Sequence, residues 1–131
     1  MNGLHLIADL HACDCAPGLL LDAARLETLC ADACARHGLT IVGRFFHQFT
    51  NAAGAPSGVT GTVVLAESHL AIHTWPEISG VTLDVYVCNF SADNSAAARS
   101  VFREMMSTFM PGRAETKEVV RGHLAGPITS T

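Results

Sequence analysis

The chain has 131 residues, 49% of them hydrophobic and 15% charged, with a net charge of -4. That length suits one domain, 1–131, with a core of its own. The acidic balance and scattered Lys and Arg exclude a basic face for nucleic acid, no apolar run approaches the ~20 residues of a membrane span, and the start lacks the pattern of a signal peptide, so a cytoplasmic protein is expected.

Residues 3–11 alternate apolar and polar and predict a half-buried strand. Residues 22–37 place Leu26, Leu29, Cys30, Ala33 and Cys34 on a helical stripe, and Gly38 marks its stop. Residues 39–49 are β-branched and aromatic and predict a strand. Residues 51–58 form a turn-rich loop. Residues 59–66 and 68–74 read as two strands, or one bent strand, meeting at Glu67-Ser68. Trp75-Pro76 ends the second, and 81–88 alternates cleanly. Residues 94–109 predict a helix capped by Asn94 or Ser95 and buried through Ala98, Val101, Phe102, Met105 and Phe109. Pro111-Gly112 breaks it, and 114–121 is a last strand.

The order β-α-β-β-β-β-α-β predicts an α+β fold: a two-layer α/β sandwich with two helices on one face of a mostly antiparallel sheet. Two helices do not hide both faces of so apolar a sheet. The uncovered face is the expected contact between two copies, giving a homodimer.

Five cysteines are expected to be reduced. Cys30 and Cys34, four apart on the first helix, read as small core residues. Cys13-x-Cys15 has His5 and His11 nearby but lacks the C-x-x-C form of a zinc knuckle, so no metal is expected.

The chemistry concentrates in residues 67–77, Glu-Ser-His-Leu-Ala-Ile-His-Thr-Trp-Pro-Glu. A serine hydroxyl attacks the carbonyl of the preceding residue when the backbone is bent or strained and the carbonyl oxygen has a polar partner. Removal of the serine Cα proton then breaks the resulting ester, and hydrolysis leaves a pyruvoyl group at the new N-terminus. Its ketone takes a substrate amine as a Schiff base and accepts electrons as CO2 leaves. Ser68 is the candidate nucleophile. His73 is a candidate base. Five residues of extended strand span ~17 Å, so a direct His73–Ser68 contact needs a bend or bulge at 67–69. Thr60 offers a hydroxyl to the shifting carbonyl, and the thiol of Cys88 fits a proton donor. Taken alone, the same residues also fit a strand serine and an ordinary hydrogen-bonding histidine.

The run 67–77 resembles the processing site of the bacterial and archaeal S-adenosylmethionine decarboxylases. The likeness extends to Gly3-x-His5-Leu6-Ile7-Ala8-Asp9 with Cys13 after it, Phe46-His47-Gln48-Phe49, Thr60-Gly61-x-Val63-Val64, and Asp84 to Cys88. It implies self-cleavage between Glu67 and Ser68 into a β chain (1–67) and an α chain (68–131). Ser68 becomes the covalently bound pyruvoyl cofactor, His73 accepts the proton in processing, and Cys88 donates one in catalysis. Thr60 stands where the family usually has a serine. It also implies decarboxylation of S-adenosylmethionine to the aminopropyl donor of spermidine synthesis, by a homodimer with active sites near its interface.

A sulfonium and an adenine both favour aromatic faces, which points to Phe49 and Trp75. Glu77 suits ribose hydroxyls or the cation. Core packing and surface charge are the plainer uses of these three. Cys88 is followed by Asn89-Phe90 where relatives often have Gly and acidic residues, beside the region that selects substrate. Arginine or ornithine therefore stays open as the substrate, as does an uncleaved homologue that serves as a binding or partner subunit.

Overall fold

The computed structural model describes residues 2–90 and 92–124; the ends of the expected 1–131 domain lie outside them. Its elements are β1 (Gly3–Cys13), α1 (Gly18–Leu21), α2 (Ala23–Arg36), β2 (Ile41–Thr50), β3 (Pro56–Leu65), β4 (Ser68–Trp75), β5 (Gly80–Cys88), α3 (Ser95–Phe109) and β6 (Pro111–Arg121). The strands form one sheet in the order β2-β3-β4-β5-β1-β6, antiparallel at every pairing. α2 packs over β2 and β3, and α3 over β1 and β5, so the helices share one face as expected.

Alternation decides what that face buries. Leu4, Leu6, Ala8 and Leu10 of β1, Leu70 and Ile72 of β4, and Val81, Leu83, Val85 and Val87 of β5 point to the helices and are buried. α2 meets them with Leu26, Cys30, Ala33 and Cys34, and α3 with Ala98, Val101, Phe102, Met105 and Phe109. Cys30 and Cys34 are thus core residues. The Asp22 carboxylate caps α2, accepting from the N–H groups of Ala24 at 3.0 Å and Arg25 at 3.3 Å, an arrangement worth about 1 kcal/mol. Glu104 ties the two helices by accepting from Arg36 and His37.

The differences from expectation are local. A four-residue helix, α1, precedes α2, because Gln48 of β2 holds the junction: its side-chain oxygen accepts from the Ala23 N–H at 2.7 Å and its amide donates to the Leu21 carbonyl at 2.6 Å. The loop after β2 is shorter than predicted, since β3 starts at Pro56. β6 starts at Pro111, three residues early; it is an edge strand, where a proline costs no ladder bond. Residues 59–66 and 68–74 belong to a hairpin of two strands closed by Ala66 and Glu67.

Gly61 lies opposite Phe46, whose ring covers it. A Cβ there would stand 2.1 Å from the Phe46 ring, so the ring would have to leave its place against the core. Gly61→Ala is expected to destabilise the fold by about 1–3 kcal/mol, read as a lower Tm. An unchanged Tm would show that Phe46 is not confined.

Candidate active site

The candidate residues fall into three groups on the sheet. The first lies at the turn between β3 and β4. Leu65 pairs with Ser68, leaving Ala66 and Glu67 as a two-residue loop. Glu67 has φ 73°, the left-handed region, while Ala66 does not. That is the sign pattern of a type II turn, which favours glycine at the second position. A charged, β-carbon-bearing residue held there stores strain of order 1–3 kcal/mol, in the residue whose carbonyl precedes Ser68. Across the ladder, Ser68 pairs with Val87. The Cys88 N–H donates to Ser68 Oγ at 2.7 Å and also to the Glu67 carbonyl oxygen at 3.3 Å. One donor therefore holds both the candidate nucleophile and the oxygen of the carbonyl it would attack. The Cys88 residue is itself buried, 7% exposed.

The second group lies at the other end of β4. His73 pairs with Thr60 of β3, and Thr60 Oγ1 hydrogen-bonds His73 Nδ1. They open onto a cavity of about 460 Å³ whose lining includes Phe49, Gly58, Trp75 and Glu77. All three substrate-contact candidates thus surround Thr60 and His73. Phe49 and Trp75 are nearly half exposed, at 48% and 41%, so neither is spent in the core. The cavity wall is pinned from the helix side by Thr74, whose buried hydroxyl donates to the Leu20 carbonyl at 2.8 Å and accepts from the Val59 N–H at 2.9 Å. The Gln48 amide donates to the Gly58 carbonyl at 3.0 Å.

The two groups do not meet within one chain. Pairing runs unbroken from Leu65↔Ser68 to Thr60↔His73 on one side of β4, and from Ser68↔Val87 to Trp75↔Gly80 on the other. There is no bulge at 67–69 of the kind a direct His73–Ser68 contact needs. The separation is the ~17 Å of five extended residues, and the two side chains alternate onto opposite sides. The cause is the Ala66-Glu67 loop: it takes up the whole reversal of the chain and leaves β4 regular.

The third group was not singled out from sequence. On the sheet face away from the helices, His5 Nε2 and His69 Nε2 share Asp84 Oδ2, at 2.8 and 3.0 Å. Their ligand-type atoms lie within 4.8 Å of one another, close enough to consider a cation. Arg121 Nη1 stands 3.2 Å from His5 Nδ1, and a guanidinium only donates. His5 Nδ1 therefore accepts, and its Nε2–H donates to Asp84 Oδ2. Arg121 also stacks on Tyr86, 4.1 Å from the ring centroid. The group is a proton-bearing tie between β1, β4 and β5. Its sequence signal was present, since His5, His69 and Asp84 all sit at open-face positions of predicted strands, but their register was not.

The remaining thiols are inert. Burial raises Cys13 to about 11 and Cys34 to about 11, and pushes Cys30 higher still. Cys15 is also raised, chiefly by burial. None of these four is a thiolate at neutral pH.

A family model described as S-adenosylmethionine decarboxylase matches residues 4–122. A protein of Thermoplasma volcanium named S-adenosylmethionine decarboxylase proenzyme is 35% identical over 124 residues, 95% of this chain and 87% of that one. One of the same name from Parasynechococcus marenigrum is 36% identical, over 98% of this chain and 97% of its own. The crystal structure of the adenosylmethionine decarboxylase from Aquifex aeolicus superposes with a TM-score of 0.79 at 32% identity, covering 94% of this chain and 92% of that one.

Proposed function

The chain belongs to the S-adenosylmethionine decarboxylase family, and on that footing we propose that it cuts its own Glu67–Ser68 bond, turns Ser68 into a pyruvoyl group, and decarboxylates S-adenosylmethionine in the cytoplasm for spermidine synthesis. None of the relatives described above bears arginine or ornithine in its name, and that alternative has no support. The relatives are named proenzymes, which favours a chain that matures over an uncleaved partner subunit.

The observation that carries this reading is the shared Cys88 N–H. It already touches Ser68 Oγ and the Glu67 carbonyl oxygen, behind a strained Glu67. In the first step Oγ bonds to the Glu67 carbonyl carbon, the C–N bond breaks, and the hydroxyl proton passes to the released amine. The Cys88 N–H faces the carbonyl oxygen while it carries charge, as an oxyanion donor does. In the second step a base takes the Ser68 Cα proton and the Cβ–Oγ bond breaks. Glu67 leaves as a carboxylate, the dehydroalanine tautomerises, and water replaces its nitrogen with oxygen, releasing ammonia. The ketone so formed supplies an electron sink for a substrate amine.

His73 is the proposed base and Thr60 orients it through the Oγ1–Nδ1 bond, in the manner of a base held by a second group. Since His73 lies ~17 Å along the strand from Ser68, the pair acts on the Ser68 of a second copy. The face away from the helices suits that contact: Phe45, Phe49, Val64, Trp75 and Val119 are exposed on it. In the proposed pairing, two such faces stack about a two-fold axis and the Thr60–His73 end of one copy meets the backbone of the Ser68–Cys88 end of the other, so that His73 reaches the Ser68 Cα proton while Oγ stays on the helix side. Phe49, Trp75 and Glu77 then bring the adenosyl pocket to the ketone, with the aromatic faces toward the sulfonium and base and Glu77 toward the ribose.

Cys88 is the proposed proton donor to the decarboxylated carbon. Because its backbone N–H, and not its thiol, serves the cleavage, Cys88→Ala should still yield the two fragments. CO2 release from S-adenosylmethionine should fall by about 10²-fold or more, the usual worth of a positioned acid. Arginine and ornithine serve as control substrates. A Cys88→Ala enzyme with normal turnover would remove the thiol from the mechanism, and CO2 from arginine but not from S-adenosylmethionine would overturn the substrate.

A further inference from the structure

Asn94 stands at the N-cap of α3, yet its side chain does not cap the helix. The nearby N–H of Ser95 is taken by Asp93 instead, at 3.0 Å. The Asn94 amide turns back toward the cleavage turn. Its Nδ2 donates to the Cys88 carbonyl and to Glu67 Oε2, both at 3.3 Å. One NH2 group with two hydrogens thus joins the two residues that flank the scissile bond in space. Its own backbone is fixed by Asn89, whose side-chain oxygen accepts from the Asn94 N–H at 2.9 Å and whose amide donates to Ser95 Oγ at 3.0 Å. Asn89 is tied in turn to the start of the chain, donating its N–H to the Asn2 carbonyl at 2.8 Å.

A residue that forgoes capping its helix to reach two other acceptors has been placed by something other than helix stability. We propose that Asn94 is a positioning residue for self-cleavage: it clamps the Glu67 side chain to the Cys88 carbonyl, and so holds the Glu67 carbonyl oxygen against the Cys88 N–H while Ser68 Oγ attacks. Asn94 has this role only if Ser68 is the cleaved residue. It exchanges no proton and forms no bond in the reaction. Its effect falls on the first step, where the Oγ–C bond forms and the C–N bond breaks. It has none on the elimination that follows. The same clamp explains why a two-residue hairpin tolerates a glutamate at a glycine position: the Glu67 side chain has a partner that rewards the left-handed backbone.

The test follows conversion of the freshly synthesised full chain into 1–67 and 68–131 by intact mass, with and without hydroxylamine, which captures an accumulated ester. Asn94→Ala should cleave at least ~10-fold slower, the worth of about 1.4 kcal/mol of barrier. Hydroxylamine should not restore scission, because the ester itself is not formed. The side chain caps no helix, but it holds two hydrogen bonds, so Tm should fall modestly while the fold is kept. In Asn94→Asp a carboxylate facing Glu67 lacks the donor at pH 8 and regains an O–H donor as it protonates. Its rate relative to the unsubstituted chain should therefore rise as the pH falls from 8 to 5, a trend that a merely structural role would not produce. Should Asn94→Ala fail to fold, that ratio decides alone. Cleavage of Asn94→Ala within twofold of the unsubstituted chain, or rescue by hydroxylamine, or a flat ratio for Asn94→Asp, overturns the role of Asn94 while leaving Ser68 as the cleaved residue. An unsubstituted chain that never cleaves overturns both.

Discussion

A Ser68→Ala chain is expected to remain a single polypeptide and to release no CO2 from S-adenosylmethionine above the uncatalysed rate. Without Oγ there is no nucleophile for the Glu67 carbonyl, hence no ester, no scission and no ketone. The expected loss is total rather than graded, because in the proposed mechanism the residue supplies both the cutting group and the atoms of the cofactor. The fold should survive. Ser68 Oγ contributes one accepted hydrogen bond, and the Cys88 N–H keeps the Glu67 carbonyl as partner, so the cost is about 1 kcal/mol. A Ser68→Ala protein that still yields 1–67 and 68–131 would place the cut elsewhere. One that stays intact but turns over substrate would show that no pyruvoyl group is needed.

The second large effect comes from mixing two dead chains. Ser68→Ala lacks the proposed nucleophile, and His73→Ala the proposed base, so each alone should neither mature nor turn over. If two copies pair as proposed, co-produced chains should form mixed pairs in which Ser68 of one copy meets His73 of the other. With random pairing, half of the dimers are mixed and each carries one whole site of two, so about a quarter of the normal activity should return. Fragments should come only from the His73→Ala chain, which is the one that keeps Ser68. The expectation follows from strand geometry: an unbroken β4 spaces Ser68 and His73 ~17 Å apart on opposite sides. If His73 reached the Ser68 of its own chain, the mixture would be as inactive as its components.

Much of this arrangement was legible in the sequence, for reasons that can be traced residue by residue. The strands announce themselves because one face buries Leu, Val and Ile at every second position while His5, His69, Asp84 and His73 occupy the other. Cys30 and Cys34 were readable as core because they fall on the apolar stripe of α2, and the buried stripe of α3 was read in the same way. What escaped depends on contacts between residues distant in the chain. The α1 turn is held by Gln48, more than twenty residues away. The tie of His5 and His69 through Asp84 requires the β1–β5 and β4–β5 registers, which no local pattern states. The bend or bulge at 67–69 that a direct His73–Ser68 contact would need is absent for a local reason: the positive φ of Glu67 concentrates the reversal in two residues. A glutamate gives no sign of that conformation, whereas a glycine at 67 would have. The alternation that separates Ser68 from His73 was available from the start, since an odd spacing of five in a strand puts two side chains on opposite sides.

Everything proposed for the site depends on the Glu67–Ser68 bond being cut by the chain itself. The most direct measurement is the intact mass of the purified, unsubstituted protein. Two species corresponding to residues 1–67 and to 68–131 with a pyruvoyl N-terminus are the predicted result. A single stable chain of 13.8 kDa after prolonged incubation under native conditions would contradict it.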